Sequence, residues 1–155
     1  MTAVKRQAGE PSPDRPLRIS PRMVEAVIGH LRESLPLEGC GLISAVQEAD
    51  AVVAVRFFPG ENVDRSPNRF TMDPEQVIEA FTSMRSAGEE LGAIVHSHPV
   101  SAAEPSPTDI KEWYYPDALN VIVSFRGEPP ALRAWRWRPE SPSGRFEECG
   151  IELVG

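Results

Sequence analysis

The sequence predicts a mixed α+β architecture in one domain, with helices layered on a sheet, and three observations lead to it. Two segments, residues 20–35 and 73–88, carry apolar residues at helical spacing, and each opens on a capping residue followed by proline. The segments that read as strands do not alternate one for one with these helices. Several cluster at the C-terminal end, which disfavours a doubly wound parallel sheet. Finally, 155 residues are enough for one real core and too few for a second domain of ordinary size.

The elements follow in order. Residues 1–16 mix charge, glycine and proline without hydrophobic periodicity. Such a segment buries too little to offset its ordering entropy, so a disordered tail is expected there, ahead of a domain over residues 17–155. Ser20 and Pro21 supply an N-cap and a first-turn proline. Val24, Val27, Ile28, Leu31 and Leu35 then line one face of a helix to about Leu35, and Pro36 ends it. Residues 39–46 read as a strand whose Gly39 and Gly41 permit close backbone approach at its start. Residues 51–58 are a second strand candidate, followed by a polar loop with Asn62, Asp64, Ser66, Pro67 and Asn68, and residues 69–72 resume as a short strand. Asp73 and Pro74 repeat the cap-plus-proline signal, with Gln76 at the capping-box position and Val77, Ile78, Phe81 and Met84 on one face until near Gly88.

Residues 91–95 are mostly apolar and suit a buried strand that leads into His96-Ser97-His98, where Pro99 stops it. A loop of small residues and prolines, 99–105, reaches Ser106 and Pro107, which open a third helix to about Tyr115. Residues 120–125 form a β-rich run. In residues 132–137, Leu132, Ala134 and Arg136 alternate with Arg133, Trp135 and Trp137, so one face carries both large aromatics. A last strand is expected over residues 146–153.

Composition removes several function classes. A formal charge of -7 and an isoelectric point near 5.0 offer no basic footprint, so nucleic acid and anionic membranes are disfavoured as partners. Cys40 and Cys149 stand far apart with no paired-cysteine motif, as expected for packed thiols in a reducing compartment. With no run of about 18 apolar residues and no apolar signal-peptide core, a soluble cytoplasmic protein is expected. Oligomeric state does not follow from the sequence, and a homodimer stays open.

Chemistry concentrates at His96-Ser97-His98. Side chains two apart on a strand share a face, so both imidazoles can meet one ion while Ser97 points away. Asp109 is the natural third ligand. Three protein ligands with a fourth position left to water make a catalytic zinc site, whereas structural zinc sites are closed and rich in cysteine. Each part also has an ordinary explanation. A lone buried histidine is commonly a hydrogen-bonded core residue. Ser106 with Asp109 is what a helix N-terminus wants, and Glu38 by itself reads as a solvated residue after a helix. His30 lies off the main apolar stripe of its helix and is expected to face solvent.

The combination weighs differently from its parts. Glu38 upstream, then His96-x-His98, seven residues, Ser106, two residues and Asp109 resembles the signature of the JAMM (MPN+) zinc metalloproteases, and residues 36–42 resemble the glutamate segment of short bacterial members. The resemblance covers most of residues 17–154. It implies the MPN/JAMM (cytidine-deaminase-like) fold, a mixed curved sheet flanked by helices. It further implies zinc (Zn2+) held by His96, His98 and Asp109, which lowers the pKa of a bound water to about 7. Glu38 is then the base that takes the water's proton and later returns it to the leaving amine, and Ser106 donates a hydrogen bond to the oxyanion. The implied reaction is hydrolysis of a peptide or isopeptide bond at the tail of a ubiquitin-like protein.

Short segments between the motif elements leave little room for insertions that grip ubiquitin. A small ubiquitin-like sulfur carrier with a Gly-Gly tail is therefore the expected partner, with cysteine release as the specific guess. Competing readings are a general small-peptide or cell-wall/phage-type metallopeptidase and a metal-free MPN scaffold, although all the motif residues are present. The similar RadC family is disfavoured because Pro99-Val100-Ser101 replaces its usual Pro-Ser-Gly loop.

Overall fold

The computed structural model describes residues 14–139 and 145–155, so most of the expected tail lies outside the described residues. Pro16, at its end, is tied down: its carbonyl accepts from Val52 N at 2.9 Å. The chain then enters β1 (Leu17–Ile19), a short strand that the sequence did not reveal. In α1 (Pro21–Glu33), Ser20 accepts from Met23 N at 3.1 Å, and Val27 and Leu31 are buried. The helix stops earlier than expected because Pro36 biases the residue before it, Leu35, away from helical geometry. His30 corrects an expectation. Rather than facing solvent it is half-buried, with Nε2 3.0 Å from both Cys40 O and Gly60 O and its ring edge-on to Phe57, so it fastens the helix to the sheet.

β2 (Cys40–Gln47) and β3 (Val52–Gly60) run antiparallel. The close approach expected at the start of β2 is real: a Cβ on Gly41 would lie 2.8 Å from Phe58 O and 2.7 Å from the Phe57 ring. Residues 69–72 do not form the expected strand, and only an isolated bridge joins Asn62 to Met72. The Asn62 side chain takes over the pairing, with Oδ1 accepting from Asp64 N and Thr71 N and Nδ2 donating to Glu38 O and Arg69 O. In α2 (Pro74–Ala87), Asp73 caps Glu75 N at 3.0 Å, and Gly88 closes the helix at φ 70. Gln76 does not complete a capping box: it accepts from Glu61 N at 2.7 Å and so ties helix to loop.

β4 (Glu90–His98) carries the histidine pair, and α3 (Pro107–Lys111) follows. α3 ends well before Tyr115. Pro116 disfavours helix at that residue, and Trp113 turns to pack edge-on against Phe146 at 5.1 Å. β5 (Leu119–Ser124) and β6 (Ala131–Arg138) match expectation, and the aromatic face of β6 points at the loop after β4, where Trp135 Nε1 donates to Ala103 O. The single last strand expected over 146–153 is two strands, β7 (Arg145–Cys149) and β8 (Ile151–Leu153), divided at Gly150.

That division shapes the molecule. The sheet order is β7-β6-β5-β4-β2-β3-β1-β8, with parallel pairs at β4/β5, β1/β3 and β1/β8 and the rest antiparallel. β7 and β8 thus lie at opposite ends of the order yet are joined by one residue, whose carbonyl accepts from Leu17 N at 2.9 Å. A sheet whose two edge strands are joined by Gly150 alone must curl until it nearly closes. The mixed α+β fold with a curved sheet is as the sequence implied. One core cluster gathers Val27 and Leu31 of α1 with Ile43, Val95, Val121 and Val123. A second joins Leu42 and Ile94 to Met72, Ala80 and Met84, the last two from α2. No helix among the described residues is long and apolar enough to cross a membrane.

Candidate metal centre

Strand register assembles the site. Cys40 pairs with His96 across the antiparallel β2/β4 ladder, and residues directly opposite share a face. Glu38 stands two residues before Cys40 and His98 two after His96, so the pleat turns all three toward one side. Ser97 points the other way, as expected, but is not idle. Its Oγ accepts from Gly39 N at 2.8 Å, while Ser97 N donates to Gly39 O at 3.1 Å, which clamps the residue beside Glu38. The polar loop grips Glu38 itself, with Glu38 N donating to Ser66 O and Asn62 Nδ2 to Glu38 O. A glutamate expected in solvent when taken alone is 3% exposed, beside His96 at 1%, His98 at 3% and Asp109 at 8%.

Hydrogen bonds settle which atoms face which. His98 Nδ1 donates to Ala102 O at 2.8 Å, so in the neutral ring Nε2 is a lone pair, and it meets Asp109 Oδ2 at 3.2 Å. His96 Nε2 lies 3.0 Å from Asn120 Oδ1, and Nδ1 lies 3.3 Å from Glu38 Oε1. The neutral His98 imidazole therefore turns a lone pair toward a carboxylate. Only a proton or a cation between them relieves that. At His98 and Asp109 the balance is visible. Burial disfavours the charged imidazole, but the hydrogen bond to Asp109, the Ala102 carbonyl and nearby negative charge outweigh it, so the His98 pKa rises. Burial likewise pushes Asp109 up and is overcome by the hydrogen bond with His98, the neighbouring His96 and the Ser106 N–H, so its pKa falls.

The donor set fits a metal. Ligands 2.0–2.1 Å from a tetrahedral zinc lie about 3.3 Å from one another, and His98 Nε2 lies 3.2 Å from Asp109 Oδ2. Glu38, His96 and His98 each bring one donor atom within 4.8 Å of the others. The sequence reading took Asp109, not Glu38, as third ligand. Both carboxylates flank the histidine pair, and Asp109 Oδ2 also lies 3.8 Å from His96 Nε2.

Ser106 and Asp109 satisfy both of their readings together. Ser106 Oγ accepts from Asp109 N at 3.0 Å and Ser106 N donates to Asp109 Oδ2 at 2.8 Å, a full capping box. The same Oδ2 faces His98. The cap is thus the device that aims the carboxylate. Cys40 is a packed thiol, as expected: burial, with Glu38 adding to it, pushes its pKa up to about 12.

Two site residues escaped the sequence reading. Phe70 stacks on His96 with ring centroids 4.7 Å apart, and nothing local marks it. Asn120, fully buried, could have been found: it is the one amide in the otherwise apolar opening of β5, where a strand core wants an apolar residue. Beside the centre lies a cavity of about 270 Å³ lined by Leu42, Phe70, Phe81, Ile94 and Trp113, with His96 and Asp109 at its edge.

The mixed sheet that nearly closes around this buried His-x-His pair fits an MPN/JAB fold. The chain belongs to the family of prokaryotic homologs of the JAB domain, whose model matches residues 20–138. It is 35% identical over 104 residues to the CysO-cysteine peptidase of Mycobacterium tuberculosis, covering 67% of this chain and 70% of the relative. It is 37% identical over 119 residues to a probable TtuB-protein conjugate cleaving protease of Thermus thermophilus, covering 71% and 77%. It is also 30% identical over 134 residues to a desampylase of Haloferax volcanii, covering 83% and 90%. A solution structure of a Desulfitobacterium hafniense protein superposes with a TM-score of 0.76 at 27% identity, covering 89% of this chain and 94% of that one.

Proposed function

We propose that this protein is a zinc-dependent JAMM-type peptidase that cuts the bond following the C-terminal Gly-Gly tail of a ubiquitin-like sulfur-carrier protein, releasing cysteine or another amine from the carrier. The observation that carries the reading is the buried His98 lone pair turned on the Asp109 carboxylate, whose Oδ2 also lies 3.8 Å from His96 Nε2. The conjugate-cleaving and peptidase names of relatives 30–37% identical support the substrate class. The acidic balance of the chain fits a cytoplasmic enzyme with no nucleic-acid partner.

In this reading His96, His98 and Asp109 hold zinc. Asp109 is preferred to Glu38 as third ligand because its Oδ2 lies 3.8 and 3.2 Å from Nε2 of His96 and His98 and because the Ser106 N–H locks that oxygen. Bound zinc would supply Lewis acidity and a water acidic enough to lose its proton near neutral pH. Glu38 takes that proton and hands it to the departing amine. Ser106 stabilises the scissile carbonyl oxygen as negative charge develops on it. Burial of the site argues for a slender substrate. Residues only 1–8% exposed are reached by a chain without side chains, which is what a Gly-Gly tail offers, and the adjoining apolar cavity can seat the residues that precede it.

Zinc-loaded enzyme should release the added residue from a sulfur carrier extended by one amino acid after Gly-Gly, faster than it cuts unfolded casein or linked ubiquitin, with mass spectrometry following each. Equal or faster cutting of casein would mean a general peptidase. Inertness toward several carrier adducts at full zinc occupancy would overturn the substrate class.

Ser106→Ala should separate two roles. Losing the cap costs about 1 kcal/mol of stability, while losing an oxyanion donor costs about 10² to 10³ in rate. Melting and kinetics read them independently, and a normal rate with a lowered melting temperature would leave Ser106 a cap alone.

A further inference from the structure

The loop after β4 offers three consecutive carbonyls, and each is taken by a different side chain. Ser101 O accepts from Oγ of the buried Ser124 on β5, Ala102 O accepts from His98 Nδ1 at 2.8 Å, and Ala103 O accepts from Trp135 Nε1 on β6 at 3.0 Å. Ala102 O also accepts from Glu104 N at 2.8 Å. A carbonyl oxygen can only accept, so the contact at His98 has one meaning: Nδ1 carries the hydrogen of the neutral ring. Nε2 is then bare where it meets Asp109 Oδ2. Residues 99–106, between β4 and α3, are rich in small residues and belong to no ladder that would hold them in place. The position of Ala102 O therefore depends on its neighbours. Both outer tethers come from strands already in register with the site, since Ser124 pairs with His98 across β4/β5 and β6 pairs with β5.

We infer that Trp135 and Ser124 are positioning residues for metal binding: by holding the carbonyls on either side of Ala102, they fix the acceptor that turns the bare Nε2 of His98 toward Asp109. Peptide units are planar, so clamping the units before and after the Ala102 carbonyl leaves it little freedom to swing. Neither residue touches the centre, and the effect of both passes through Ala102 to His98. Metal-binding histidines commonly give their second N–H to such an acceptor, and losing it typically lowers metal affinity about 10- to 100-fold. The arrangement serves the same atoms as the proposed ligand set, because the Asp109 Oδ2 that faces His98 Nε2 also faces His96 Nε2. The inference rests on the reading of His98 as a zinc ligand.

Two measurements test it. In zinc-free protein at alkaline pH, the ¹⁵N shifts of His98 should report hydrogen on Nδ1 in wild type and a mixture of tautomers in a double variant, Trp135→Phe with Ser124→Ala. The opposite tautomer in wild type, or an unchanged Nδ1–H in the double variant, overturns the inference without reference to zinc. In chelator competition, Trp135→Phe, which keeps an aromatic ring and loses the donor, should bind zinc more weakly than wild type. Ser124→Ala should do the same, and the double variant should bind about 10- to 100-fold more weakly. Glu104→Ala is the control. It breaks the exposed ion pair between the same loop and Arg133 but spares every carbonyl bond, so it should bind zinc as wild type does. Wild-type affinity in the double variant, even with a lowered melting temperature, would reduce both residues to packing and overturn the role. An equal loss in Glu104→Ala would overturn it too. A wild-type protein that takes up no zinc would instead overturn the zinc reading, and the ¹⁵N shifts would then decide by themselves whether the two tethers set His98.

Discussion

Asp109→Asn is expected to leave the fold standing and to lose zinc. The change preserves the size of the side chain and an oxygen for the Ser106 N–H, so the capping box that starts α3 survives in outline. It removes the negative charge that now overcomes burial to hold a proton or cation at His98. Metal held by three protein ligands, one of them a carboxylate, should then bind far more weakly. Turnover should fall by three decades or more, on the order of the several kcal/mol that a Lewis-acid metal supplies at about 1.4 kcal/mol per tenfold. Metal analysis after purification without chelator, with kinetics on the same sample, checks both. Wild type should hold about one zinc per chain. Full zinc in Asp109→Asn would mean that the third ligand is Glu38, whose oxygen shares the 4.8 Å grouping with the histidines.

Glu38→Gln should behave in the opposite way, keeping zinc while losing about 10² to 10⁴ of the rate, the usual worth of a positioned proton-transfer group. Glutamine keeps the shape and the backbone contacts to Ser66 and Asn62, which do not involve the carboxylate. Loss of the side-chain base is therefore the only large change. An unimpaired Glu38→Gln enzyme would refute the assignment, and a zinc-free one would move Glu38 into the ligand set. The two substitutions together distinguish the carboxylates, which the distances around His96 and His98 alone leave nearly equivalent.

Much of the fold was legible because its signals are local. Ser20-Pro21, Asp73-Pro74 and Ser106-Pro107 each start a helix through contacts within three residues. Gly41 announced the close approach of β2 to β3 because only a missing Cβ allows it. The misreadings have one kind of cause. Gln76 was given the partner nearest in sequence but serves Glu61. His30 was placed by the apolar stripe of its own helix but is claimed by carbonyls of β2 and β3. Trp113 was extended into a helix but packs against Phe146 from the far end of the sheet.

The amino-acid sequence by itself determined the helix starts, the strand that carries two imidazoles on one face, and the motif spacing that marks the family. These rest on backbone sterics and side-chain periodicity, which act over a few residues. Tertiary structure alone decided the rest: that the β2/β4 register brings Glu38 to His96 across 58 positions, that Gly150 parts one apparent strand into the two ends of a curling sheet, and that Asn120 stands behind His96. Each of these depends on which strand pairs with which and in what register. That choice is set by burial summed over the whole sheet, and no short stretch of chain contains it.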